Sequence, residues 1–189
     1  SIFVNSAQFS PKEDFNSYPR NLEEDIVALK KLDVDVLFSP SNTDFYPADY
    51  STYVEEVYIS KTLEGISRPH FFKGVATVVL KLFNIIKPTS AYFGKKDFQQ
   101  LKIVEKIVKD LNIDVDILGL DTIREKSGLA MSSRNYYFSN NRRQELGSIY
   151  ESLKCGKREI INGNKNSEFI KKIIKDKLLE MDGIKIDYI

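Results

Sequence analysis

Apolar positions follow two rhythms along this chain, and the rhythms alternate. Leu22, Ile26, Leu29 and Leu32 stand at helical spacing. Asn21 followed by Glu24 has the form of a capping box, so a helix is expected over about 22–32. The apolar run from Val75 to Ile86, broken by Lys81 and Asn84, lies within a second expected helix over 71–87. That run is too short to cross a bilayer, whose core asks for about 20 apolar residues, and reads as a buried helix. A third helix is expected over 97–111. Short runs that read as strands lie at 1–4, 34–38, 54–59, 91–93, 115–118 and 184–189. Pro40 closes the second of these, and 39–53, rich in Ser, Asn, Asp and Pro, reads as a long loop of the kind that often carries function. Strands alternating with helices predict an α/β fold, doubly wound, with a largely parallel sheet and helices on both faces.

After Asn135 the character changes. Ser139 caps an expected helix running to about Lys157, an Asn/Gly-rich segment occupies 162–166, and another helix runs to Met181. The expected organisation is one α/β domain over 1–138 and the start of a small α+β domain over 139–189. Ser1 opens directly in an apolar strand without an initiator methionine, and the last strand ends the chain, so both ends read as those of a fragment. There is no internal repeat and no low-complexity tract.

Composition mainly removes possibilities. Lys and Arg number 28 against 27 Asp and Glu, a net charge of +1, so no whole-chain field recruits nucleic acid or an anionic membrane. With 42% hydrophobic and 29% charged residues the chain is an ordinary globular one rather than a disordered one. Cys155, the lone cysteine, cannot close an internal disulfide. With His70 the lone histidine, no Cys/His set can make a zinc site. A reducing, cytoplasmic setting is expected, with neither membrane nor nucleic acid as partner. The Lys-rich tail beyond Glu151 carries acids nearly in balance and reads as a solvated helix surface.

Two polar segments carry the candidate chemistry. Gly94-Lys95-Lys96-Asp97-Phe98-Gln99-Gln100 follows the apolar Ala91-Tyr92-Phe93 and opens a helical pattern, which places it at a strand-to-helix turn, where open α/β sheets bind nucleotides. Lys96 can meet phosphate there, Asp97 can accept from ribose hydroxyls, and Gly94 lets the backbone approach a sugar. The plainer reading has Asp97 capping its helix and the lysines in solvent. Met131-Ser132-Ser133-Arg134-Asn135 gathers two hydroxyls, a guanidinium and an amide, a set suited to phosphate oxygens. It follows Gly128 in what reads as a mobile loop, which can deliver positive charge to a phosphoryl or adenylyl transition state or be only a surface turn. Gln8 and Gln100, at turns or helix starts on the presumed carboxyl edge of the sheet, suit a substrate bearing hydroxyls, because an amide both donates and accepts. Glu24 and Asp25, in the first turn of their helix, could hold Mg²⁺ or merely complement the helix dipole. His70, after Arg68-Pro69, offers a base or a phosphate ligand.

The ordered blocks extend well beyond these segments. They include Ile2-Phe3-Val4-Asn5 with Gln8-Phe9, Tyr18-Pro19-Arg20, Phe38 with Pro40, Tyr46-Pro47, and Leu63-Glu64-Gly65 with Arg68-Pro69. Gly74-Val75 with Thr77-Val78-Val79, Lys81-Leu82-Phe83, the Phe93 to Gln100 block, Arg124-Glu125, and Gly128 through Asn135 complete the set. Over residues 1 to about 145 the chain resembles the pantoate-beta-alanine ligase family. The resemblance implies a Rossmann-like nucleotidyltransferase domain followed by a smaller C-terminal domain, usually as a homodimer. It implies ATP-dependent, Mg²⁺-requiring joining of pantoate to β-alanine through a pantoyl adenylate. Gln8 and Gln100 would bind pantoate. Lys96, Ser132 and Arg134 would act on the phosphates, Gly94 and Asp97 on the ribose, and Ile123, Met131 and Ser133 elsewhere on ATP. Asp25, with Glu24, would sit near the metal. Three departures are visible: the family's N-terminal segment with its His-x-Gly-His signature is missing before Ser1, His70 stands one position early in its block, and Ser6 replaces the usual proline after Asn5. Another enzyme of the nucleotidyltransferase superfold, or a nucleotide-binding remnant without activity, remains an alternative.

Overall fold

Helix spacing is realised closely in the computed structural model, which describes residues 1–11 and 13–189. Helix α1 spans Leu22–Lys31, and the Asn21 side chain accepts from the Glu24 N–H at 3.3 Å. Two single turns follow, α2 at Asn42–Phe45 and α3 at Glu64–Ser67. Helix α4 runs from Phe71 to Ile86, strand β1 from Ser90 to Gly94, helix α5 from Phe98 to Asp110 and strand β2 from Asp116 to Leu120. Beyond them lie α6 (Asn140–Glu145), α7 (Ser148–Ile161) and α8 (Ser167–Leu179).

The chain divides into two compact units, one of Ser1–Phe93 with Phe98–Leu118, the other of Gly94–Asp97 with Gly119–Ile189. In the first, α4 is the centre: Phe72, Val75, Ala76, Val78, Val79 and Phe83 are buried on it, which is why its sequence is apolar on nearly every side. Ile103, Val104 and Ile107 of α5 and Phe45 of α2 complete that core. Strands β1 and β2 pair directly and in parallel, with α5 as their crossover, the βαβ unit expected of an α/β fold.

Four expected strands do not form, and the hydrogen bonds show why. Segments 1–4 and 34–38 are extended but share a single backbone bond, Ile2 N–H to Phe38 O at 3.0 Å, too few to make a ladder. In 54–59 two donors go to side chains, Val54 N–H to Thr77 Oγ1 and Tyr58 N–H to the Glu56 carboxylate, each at 3.0 Å, and Ser60 N–H just beyond reaches the same carboxylate at 2.9 Å. The buried Glu56 thereby organises a one-turn 3₁₀ helix at Ile59–Lys61. Segment 184–189 has no ladder among the described residues.

In the second unit the single helix expected after Ser139 is two. Ser139 Oγ caps α6 by accepting from Arg142 N–H at 3.3 Å, but the chain turns at Gly147, where a Cβ would lie 2.0 Å from Ser127 O. Only glycine lets the backbone approach that closely. Helices α7 and α8 pack together, with Gly156 admitting the Ile174 side chain.

Candidate active site

Gln8 is held at both ends. It closes a 3₁₀ turn, Ser6–Gln8, which lies so close to α4 that a Cβ on Gly74 would stand 2.3 Å from Ala7 O. Its carbonyl accepts from Arg68 Nη2 at 3.2 Å. Arg68 is itself fixed by a two-pronged pair with Glu13, 2.7 Å on each arm, a contact with Glu64 at 3.3 Å, and a stack over the Phe71 ring at 3.9 Å. Such a forked pair adds direction as well as attraction.

The Gln8 side chain is oriented by Asn5. Asn5, buried to 4% exposure, donates Nδ2 to Gly74 O at 3.1 Å and to Gln8 Oε1 at 2.8 Å. Its Oδ1 accepts from Ala7 N–H at 3.3 Å and from the Tyr46 hydroxyl at 2.8 Å. A backbone carbonyl can only accept and a backbone N–H can only donate, so the amide has one consistent orientation. Burial first, then the neighbouring Tyr50 and Tyr53, pushes the Tyr46 phenol well above its ordinary range, so that it remains a neutral donor.

Gln100, half-buried, lies in the first turn of α5 beside a glutamine with a structural task. Gln99 Nε2 donates to Ile59 O and Thr62 O at 2.8 and 2.7 Å, and its Oε1 accepts from Glu64 N–H at 3.1 Å. Gln99 thus ties the 59–64 loop to α5. Glu24 and Asp25 are exposed in the first turn of α1. Among the described residues no three His, Cys, Asp or Glu gather into a metal cluster. His70 is exposed at the head of α4, and its side chain makes no capping bond.

All the candidate nucleotide residues belong to the second unit, whereas Gln8, Gln100, Glu24 and Asp25 belong to the first. Gly94 ends β1, and its φ is not in the left-handed region. Among the described residues a Cβ there would meet nothing within 4 Å, so none of their atoms requires a glycine at this point. Lys95 pairs with Asp121 at 2.7 Å, while Lys96 pairs with the adjacent Asp97 at 3.0 Å, both substantially exposed. An exposed pair of this kind holds its partners weakly.

Ile123 and Met131 stand side by side across a short antiparallel turn. Met131 N–H donates to Ile123 O at 2.9 Å and Glu125 N–H to Leu129 O at 2.8 Å, flanking the Arg124–Ala130 bridge. Both apolar side chains are exposed, Ile123 to 69% and Met131 to 58%. Ser132 Oγ caps the 3₁₀ turn Ser133–Tyr137 by accepting from Arg134 N–H at 3.3 Å. Below that cap is a network: Asn135 Nδ2 donates to Glu125 Oε1 at 2.7 Å and to Ala130 O at 3.1 Å, and Glu125 pairs with Arg143 at 2.9 Å. The Arg143 hydrogen bond, helped by Asn135, holds the Glu125 carboxyl below the usual carboxylate range. These groups line a cavity of about 450 Å³ with Met131, Ser132, Ser133 and Tyr136. The segment that reads as a mobile loop is therefore anchored at its base.

The parts that sequence reasoning left without a role are Asn5, Tyr46, Arg68 with its two glutamates, and the Glu125–Arg143 pair; the Asn135 amide, expected among the phosphate-facing groups, donates to Glu125 and Ala130 O instead. One signal was available for Asn5: a polar residue directly after Ile2-Phe3-Val4 is buried only with partners to satisfy it.

Comparison with known proteins gives a consistent picture. The family model described as pantoate-beta-alanine ligase matches residues 1–189. The pantothenate synthetase of Thermotoga petrophila is 50% identical over 189 residues, all of this chain and 68% of the relative. That of Staphylococcus epidermidis is 50% identical over 170 residues, 90% of this chain and 59% of the relative. Among solved structures, the pantothenate synthetase of Thermus thermophilus superposes with a TM-score of 0.94 at 39% identity, over 99% of this chain and 68% of that one. The pantoate-beta-alanine ligase of Francisella tularensis, complexed with beta-gamma ATP and β-alanine, does so with a TM-score of 0.79 at 39% identity, over 94% and 66%.

Proposed function

The chain belongs to the pantoate-beta-alanine ligase family, and from that premise we propose that it joins pantoate to β-alanine at the expense of ATP. The pantoate carboxylate attacks the α-phosphorus of ATP, the bond to the β-phosphate oxygen breaks, and pyrophosphate leaves. The amine of β-alanine then attacks the acyl carbon of pantoyl adenylate, and AMP departs as pantothenate forms. No enzyme nucleophile is needed, so the protein's task is to position the substrates and stabilise developing charge.

The observation that carries this reading most directly is the Gln8 turn. It is gripped at the backbone by Arg68 and at the side chain by Asn5, which is how a polar group is preorganised for a ligand. Gln8 and Gln100 hold the pantoate oxygens. Lys96, Ser132 and Arg134 take the phosphates, with Ser133 beside them, because anionic oxygens ask for ammonium, guanidinium and hydroxyl donors. Gly94 and Asp97 face the ribose; the open space where a Gly94 Cβ would stand is supported as sugar space by the lack of any structural need for glycine there. Ile123 and Met131 offer adjacent exposed apolar side chains to the base.

Mg²⁺ fits the chemistry of the acids on α1. This cation keeps several waters and needs only one or two carboxylates besides phosphate oxygens, and Glu24 and Asp25 are two exposed neighbouring carboxylates. Bound there, it would neutralise phosphate charge. A homodimer in a reducing cytoplasm completes the proposal, supported by the family's usual state and by the single free Cys155.

The test is product formation by the full-length polypeptide supplied with pantoate, β-alanine, ATP and Mg²⁺. Pantothenate and AMP in equal amounts, read by mass spectrometry, are expected. Conversion of ATP to ADP, or no amide product, overturns the proposal.

A further inference from the structure

Tyr46 belongs to the Tyr46-Pro47 block of the sequence, yet the roles set out above leave it unused. Its ring is fixed by edge-on contacts with Phe45 at 5.3 Å and Tyr50 at 5.0 Å, and the Lys81 ammonium stands 5.3 Å from its centroid. Its hydroxyl reaches Asn5 Oδ1 at 2.8 Å, across 41 positions of sequence. A ring held in this way delivers its hydroxyl to one place.

We propose that Tyr46 is a positioning residue for pantoate, acting through Asn5 to hold the Gln8 amide in the orientation that faces its N–H donors to the substrate. The inference rests on the ligase reading above and deepens it.

Gly74 O and Ala7 N–H set which end of the Asn5 amide is oxygen, and the Tyr46 O–H donates to that Oδ1 at 2.8 Å, so it holds the amide plane in place with Nδ2 aimed at Gln8. That Nδ2 donates to Gln8 Oε1 at 2.8 Å, which turns the Gln8 nitrogen away from Asn5. Gln8 therefore presents N–H donors, not its carbonyl, to whatever binds beside it. Donors suit a carboxylate or the oxygen lone pairs of a hydroxy acid, and they disfavour an amine or amide at the same point. A flipped Gln8 would offer pantoate an acceptor where a donor is needed. Chained hydrogen bonds of this kind are best apportioned by double-mutant cycles.

The experiment uses Tyr46→Phe, which keeps the ring and its packing, in the full-length polypeptide, with pyrophosphate exchange into ATP titrated separately in pantoate and in ATP. The expected result is a rise in pantoate KM of roughly 3- to 10-fold, the usual worth of a neutral hydrogen bond, with ATP KM unchanged. In a Gln8→Ala background the same substitution should leave pantoate KM where Gln8→Ala alone puts it, since the relay then has no endpoint. An equal penalty with and without Gln8, an equal rise in both KM values, or no change in pantoate KM would each overturn the inference. If the unsubstituted protein shows no pantoate-dependent exchange, the ligase reading fails and this inference with it. Exchange by that protein together with an unaffected Tyr46→Phe variant removes the inference alone.

Discussion

The side-chain amide of Asn135 donates to Glu125 Oε1 at 2.7 Å, joining the residue that ends the Ser132-Ser133-Arg134 segment to the turn that leads into it. The bond is charge-assisted and so holds the amide more firmly than a neutral one. Asn135→Ala should lower adenylation several-fold and raise ATP KM, leaving pantoate KM unchanged. Titration of the exchange reaction in each substrate reads the split, and equal changes in both KM values would argue for general unfolding instead.

Glu125 also sets a pH expectation. Its carboxyl lies below the usual range in the fold, chiefly through Arg143, and returns to about 4.3 when the chain unfolds. A depressed carboxyl stabilises the fold fully above its unfolded value, and that contribution disappears as pH falls through the folded value. The melting-temperature gap between wild type and Glu125→Gln should thus be constant through neutral pH and narrow only below about pH 4.3. Narrowing that begins near neutrality would contradict the assignment.

Lys96→Ala removes a positive charge assigned to the phosphates. Loss of a preorganised electrostatic group typically costs about 10²-fold or more, so exchange should fall by that amount with little change in stability. Its ion-pair partner among the described residues is the exposed Asp97, so the fold gives up little. Unchanged exchange would sink the role.

Gly74→Ala reads out the seat of the Gln8 turn. The added methyl would press on Ala7 O at 2.3 Å and Gln8 N at 2.9 Å, backbone atoms that cannot rotate away. Overpacking of this kind costs about 1–3 kcal/mol, at about 2–4 °C of melting temperature per kcal/mol for a chain of this size. Calorimetry should show that drop, and pantoate KM should rise because Gln8 is displaced. A variant with wild-type stability and KM would mean that the turn is not seated by this contact.

The longer helices α1, α4, α5 and α8 were legible because they bury a stripe or carry a cap, such as Asn21 before α1 and the apolar run of α4. The single turns α2 and α3 were not, and α6 and α7 read as one helix because the break at Gly147 comes from its approach to Ser127 O. Strands β1 and β2 were legible as short apolar runs flanking α5. Segment 54–59 was misread because its β-branched and aromatic residues look like a strand, while the N–H groups of Val54 and Tyr58 are taken by Thr77 and Glu56, side-chain acceptors that no local pattern reveals. Of the candidate site, the polar residues at turns could be picked out as Lys96, Gln8 and Ser132. The residues that orient them could not, because the Tyr46 to Asn5 and Arg68 to Glu13 contacts span 41 and 55 positions. Periodicity speaks to which face is buried; it is silent on which distant hydroxyl fixes an amide.

The most direct measurement is exchange of labelled pyrophosphate into ATP by the full-length polypeptide with Mg²⁺, with and without pantoate and with β-alanine left out. Formation of pantoyl adenylate predicts exchange that appears only with pantoate and needs no β-alanine. Exchange independent of pantoate, or none with both ATP and pantoate present, would contradict acyl adenylation as this chain's chemistry.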